Sequence, residues 1–136
     1  GRELTNQQIL EAFKKEFVNV EDSFFLKHYE ILANEAENGQ VCCKAQILSS
    51  GNNYEVRGTG NGPINAFVNA LESVGQKSFK LTDYRSHAIK GGSDADSAAY
   101  IFLESNEGHG AWGCGVDPSI EIAGVKALVS ALNLLK

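Results

Sequence analysis

The sequence predicts an α+β fold of two pseudo-symmetric β-β-β-α units, each an antiparallel meander closed by a helix, preceded by a short N-terminal helix. Three observations predict it. Turn signals and apolar periodicity run twice through the order strand, strand, strand, helix. Gly58, Gly60 and Pro63 match Gly113, Gly115 and Pro118 at a constant offset of 55 positions, and these are the only two prolines of the chain. Finally, 136 residues with 43% hydrophobic content can bury one substantial core and are too few for two typical domains.

Thr5 and Gln8 form a capping-box pattern, and Ile9, Leu10, Phe13 and Phe17 follow at helical spacing, so a helix is expected near 5–18. Strands near 24–36 and 40–49 flank Glu37-Asn38-Gly39-Gln40, whose Asn-Gly pair is a strong hairpin signal. A second turn at Ser50-Gly51-Asn52-Asn53 leads into a third strand ending at Gly60. Pro63 then sits at a tolerated first-turn position, and Ile64, Phe67, Val68, Leu71 and Val74 give a helical stripe closed by Gly75. The order returns with strands near 78–90, 95–105 and 110–117 and a helix over about 119–134. The expected organisation is therefore a linker helix over 1–20 and one domain over 21–136, with unit 1 at about 21–76 and unit 2 at about 77–136. One such unit leaves a sheet face uncovered, so the two are expected to pack on each other or on a partner chain, and a homodimer follows.

A formal charge of -5 gives no attraction to phosphate backbones, and nucleic acid is not an expected partner. No apolar run reaches the roughly 18 residues of a membrane span, and residues 1–20 lack the layout of a signal peptide. Cys42, Cys43 and Cys114 are an odd, sparse set that fits a reducing, cytoplasmic setting better than a disulfide framework. The absence of methionine is read as the mark of a processed product or a piece of something longer.

The loop Gly58-Thr59-Gly60-Asn61-Gly62-Pro63 joins a strand to a helix N-terminus, where backbone amides and the helix dipole suit a carboxylate. A dinucleotide fingerprint is excluded because Pro63 replaces the third glycine and the strands are joined by hairpins. A ligand-free strand-to-helix turn remains the alternative. Around the next hairpin, Asp83-Tyr84-Arg85-Ser86-His87-Ala88 and Gly91-Gly92-Ser93-Asp94-Ala95 gather polar and small residues. His87 there is either a ligand partner or a solvent-facing strand histidine. His28, His87 and His109 lie on separate segments without metal-ligand spacing, so neither a metal nor a cofactor is expected. Cys42 and Cys43 are adjacent in a strand and point to opposite faces. Cys114 has no recognisable base beside it, which argues against a small enzyme built on Cys114 or His87.

Three stretches carry a resemblance: GTGNGPINAFVNAL, DYRSHAIKGGSDADSAAY and WGCGVDPSIEIAGVKALVSALN. In order, spacing and glycine pattern they resemble the C-terminal regulatory domain of the 2-isopropylmalate synthases, over residues 58–134, while the helix at 5–18 is similar to the subdomain that connects barrel to regulator. The resemblance implies a dimerising domain that binds leucine and thereby inhibits an acyltransferase, the condensation of acetyl-CoA with 2-oxoisovalerate in a separate catalytic barrel. The family's catalytic residues lie in that barrel, so none is transferred. Matched by position, the effector site would take Asn61, Gly62, Pro63, Ile64 and Ala66 from the first loop and helix. It would add Tyr84, His87, Ala88, Ser93, Asp94 and Ala95 from the second unit, with Val116, Pro118 and Ile120 as an apolar wall. Citramalate synthase carries a similar regulator that answers to isoleucine. That reading and a ligand-free dimerisation module stay open as alternatives.

Overall fold

The computed structural model describes residues 24–32, 39–49, 51–72, 79–89 and 96–135. The expected helix near 5–18 and the turn Lys90-Gly91-Gly92-Ser93 lie outside the described residues. Eight elements follow in order: β1 (Phe24–Ile31), β2 (Val41–Ser49), β3 (Asn52–Gly60), α1 (Pro63–Glu72), β4 (Phe79–Ile89), β5 (Asp96–Ser105), β6 (Gly110–Asp117) and α2 (Ile120–Leu134). Two antiparallel sheets have the orders β1-β2-β3 and β4-β5-β6. The β-β-β-α unit therefore occurs twice, and the described residues form two compact units, 24–72 and 79–135. The first hairpin ends on Gly39 with φ 75°, a left-handed conformation that costs glycine little.

The duplication holds in detail, though not at one offset. Both first strands carry a register shift just after a leucine, between Leu26 and His28 and between Leu81 and Asp83, which relates β1 to β4 by 55 positions. Leu26 pairs with Ile47 and Leu81 with Leu103, so the middle strands correspond at 56. Cys43 pairs with Gly58 and Ala99 with Gly115, which places the third strands at 57. The helices agree, since α1 begins at Pro63 and α2 at Ile120.

This corrects the single offset of 55 read from the glycines and prolines. The structural counterpart of Gly58 is Gly115. A Cβ on Gly58 would run into the Ala66 carbonyl and the Ala70 amide, and one on Gly115 into the Ala123 carbonyl and the Ala127 amide. Both glycines let a helix backbone lie directly on a strand. Gly113 makes a further such approach, to Ala127 and Ala131, where the first unit carries the buried Val56. The prolines also differ in role. Pro63 is the first residue of α1, whereas Pro118 precedes Ser119, the N-cap of α2.

Helix-facing strand residues make each core. Cys43, Ala45, Ile47 and Val56 pack toward Phe67, Ala70 and Leu71, and Ala99, Ile101 and Leu103 toward Ala127, Leu128 and Ala131; all are buried. Burying a side chain the size of Phe67 or Leu128 contributes roughly 1.5–3 kcal/mol. The opposite faces of the two sheets diverge. In the first unit that face is charged, with Lys44 bridging Glu30 at 3.4 Å and Glu55 at 3.5 Å. In the second, the matching positions hold an apolar cluster of Ala98, Tyr100 and Cys114 with Ile89, Trp112 and Val116. Strand β5 thus buries residues on both faces, and its near-continuous apolar run AAYIFL reflects this.

Candidate functional site

The loop expected to bind an anion is formed where β3 leaves its sheet at Gly60. The Gly62 carbonyl accepts the Ala66 amide at 2.9 Å, which closes the first helical turn. Pro63 has no amide hydrogen, so Ile64 and Asn65 supply the donors at this helix end. Among the described residues no side chain accepts from either, and α1 has no acidic residue in its first turn. A Cβ built on Gly62 would meet no atom within 4 Å. The entrance is therefore open in space and electropositive through the helix dipole. Asn61 is exposed, and Gly62, Pro63 and Ile64 are half-buried. Ala66 is fully buried against Gly58 and Gly60, so it seats the helix on the strand. Asn69 fastens the same corner by donating to the Thr59 carbonyl at 2.6 Å.

The corresponding end of α2 is closed by its own side chains. Ser119 Oγ accepts the Ile122 amide at 3.4 Å, and Asp117 Oδ2 accepts the Ser119 amide at 2.9 Å. Lys126 Nζ donates to Asp117 Oδ1 at 2.9 Å. Burial alone would raise the Asp117 carboxyl, but the Lys126 and Ser119 hydrogen bonds outweigh it and hold the group below its usual range. In the first unit the positions matching Asp117, Ser119 and Lys126 are Gly60, Gly62 and Asn69. Each charged or capping group of one helix end is thus missing from the other.

The residues expected from the second unit do not share one face. Tyr84 pairs with Ile101, and His87 with Ala98, so Tyr84 and Ala88 project to the α2 side of β4 and His87 to the other. His87 stacks on Tyr100 with ring centroids 5.5 Å apart, and desolvation lowers its pKa. Val116 also pairs with Ala98 and lies in the row of His87. Pro118 and Ile120 are exposed at the start of α2. Ser93, Asp94 and Ala95 lie outside the described residues. Sequence reasoning passed over Tyr29, Asp117, Ser119 and Lys126. The Asp-Pro-Ser run ahead of an apolar helix was the available capping signal; Tyr29 had none.

Cys42, Cys43 and Cys114 are buried free thiols. Burial pushes Cys43 up to about 11 and Cys114 up to about 12, so both are protonated and poor nucleophiles at neutral pH. Among the described residues no group of three or more His, Cys, Asp or Glu side chains could hold a metal ion. No described helix is long and apolar enough to cross a membrane. A surface hollow of about 280 Å³ is lined by Lys27, Gln46, Ile47, Asn53, Tyr54 and Glu55, at the end of the first sheet away from Gly60. No expected effector residue lines it.

The family model described as the LeuA allosteric (dimerisation) domain matches residues 3–136. A 2-isopropylmalate synthase of Mycobacterium leprae is 37% identical over 133 residues, covering 98% of this chain and 22% of the relative. One from Thermobifida fusca is 38% identical with the same coverage, and one from Clostridium acetobutylicum is 35% identical over 137 residues, covering 98% of this chain and 24% of the relative. The chain therefore spans less than a quarter of the length of these relatives.

Proposed function

The chain belongs to the LeuA allosteric (dimerisation) domain family, and from that premise we propose that it binds leucine as a feedback effector and dimerises, regulating a 2-isopropylmalate synthase barrel. The effector carboxylate sits on the Ile64 and Asn65 amides at the start of α1, with Gly62 leaving room for the approach. The branched side chain lies against neighbouring small apolar residues.

The observation that carries this reading is the contrast between the two helix ends. The α2 end is neutralised by Asp117, Ser119 and Lys126, while the α1 end has glycines at the first two of those positions and, among the described residues, no side-chain cap. A helix end with unsatisfied amides favours an anion, and a free amino acid brings one. Regulation then follows by linkage: an effector that binds the inhibited arrangement more tightly shifts the equilibrium by that difference, typically about 1–3 kcal/mol.

Calorimetric titration of the dimeric protein with leucine, isoleucine and valine tests the proposal. Leucine is expected to bind in the micromolar to millimolar range and to raise the melting temperature. Stronger binding of isoleucine would move the assignment to the citramalate type. No heat and no thermal shift with any of the three would leave a dimerisation module without an effector.

A further inference from the structure

We propose that Tyr29 is a positioning residue for the start of α1, holding the first helical turn by its carbonyl side so that the amide side stays clear. The inference deepens the effector reading above and rests on it. Tyr29 lies on β1 opposite Ala45, on the face that packs against α1, and is only 8% exposed. Its hydroxyl donates to the Pro63 carbonyl at 3.1 Å. Its ring meets Phe67 edge-on, with centroids 5.9 Å apart and planes at 85°. Ring and hydroxyl together tie β1 to the first turn of the helix.

The duplicated fold supplies the comparison. The position matching Tyr29 in the second unit is Tyr84, which pairs with Ile101 as Tyr29 pairs with Ala45. Tyr84 is 41% exposed, and among the described residues it makes no bond to Ile120, the first residue of its own helix. That helix end is already fixed by Asp117, Ser119 and Lys126, whose bonds occupy the amide side. The first unit lacks all three groups. Capping side chains there would have covered the donors that a ligand needs. A tyrosine gripping the Pro63 carbonyl fixes the same turn while leaving Ile64 and Asn65 unoccupied.

Tyr29→Phe keeps the ring against Phe67 and removes only the hydroxyl. Loss of one part-buried hydrogen bond that positions the site predicts leucine binding about three- to tenfold weaker and faster hydrogen exchange at Ala66 and Phe67, the first protected amides of α1. Val56→Ala, a core truncation in the same unit, serves as the control for simple loss of stability. In it leucine affinity and exchange at Ala66 relative to the rest of the unit stay as in the unmodified chain. If Tyr29→Phe leaves Ala66 and Phe67 exchange unchanged, or if Val56→Ala reproduces its effects, Tyr29 is only a core residue and the proposal is overturned. If the unmodified chain does not bind leucine, the effector reading fails by itself, and the exchange comparison still decides whether Tyr29 positions the turn.

Discussion

Lys126 donates to Asp117 at 2.9 Å, and the two residues that take their places in the first unit are Gly60 and Asn69. One helix end is sealed by a charge pair where its duplicate is left bare. The pair is partly buried, with side-chain exposures of 35% and 18%, so solvent screening keeps its contribution modest, about 0.5–1 kcal/mol. Asp117→Asn should lower stability by that amount at pH 7. The folded carboxyl lies below its ordinary value of 3.8, so the contribution is present above that value and is lost as pH falls through the folded pKa. Denaturation curves at pH 7 and near pH 3 check this, and the difference between variant and parent should shrink on acidification.

Gly62→Ser and Gly62→Asp place at the α1 entrance the kind of group that Ser119 supplies at α2. The added Cβ meets open space, so neither should unfold the chain, and a cap is expected to add a few tenths of a kcal/mol. Both should weaken leucine binding at least about tenfold, because a resident oxygen occupies the amides. Thermal melting together with calorimetry separates the two effects. Unchanged stability with unchanged affinity would place the carboxylate elsewhere.

Gly58→Ala and Gly115→Ala should behave alike, since each new methyl would press on the helix backbone at equivalent alanines. Backbone cannot step aside as a side chain tip can, so each should cost about 1–3 kcal/mol or more. Gly62→Ala, with no neighbour within 4 Å, should cost far less. Urea denaturation of the three variants gives the comparison.

The fold was legible in the sequence because each element carries its own signal. Turn glycines, alternating strands and the stripe Ile64, Phe67, Val68, Leu71 located both units, and β6 was read at its observed bounds, Gly110–Asp117. The register of the repeat was misread. Gly113 and Gly115 serve the same helix at successive turns, so two glycines spaced alike in both copies made the wrong one the partner of Gly58. Spacing along one strand cannot reveal the extra residue in each hairpin of the second unit; only cross-strand pairing can. The open end of α1 was visible in Gly60-Asn61-Gly62-Pro63. Its anchor was not, because Tyr29 lies 34 residues from Pro63, and a long-range side-chain bond leaves no local pattern.

Cys43 and Cys114 give a second pH dependence, in the alkaline range. Both thiols ionise near 9.0 when exposed and at about 11 and about 12 in the fold. Stability from keeping them neutral is complete below pH 9 and is lost progressively as pH rises toward those folded values. Neither should react with iodoacetamide at pH 8 in the native chain, and both should react in urea. Mass spectrometry of the alkylated protein reads the outcome, and rapid native labelling of Cys114 would contradict its burial.

If the bare end of α1 receives the carboxylate of a free amino acid, an amide-resolved NMR titration of the chain with leucine should register it at that end. Saturable shifts are expected to be largest at Gly62, Ile64 and Asn65, smaller at the sealed end of α2 around Ser119 and Ile120, and abolished in Gly62→Asp. Saturable binding that leaves Ile64 and Asn65 unmoved, or no shift anywhere at millimolar leucine, would contradict it.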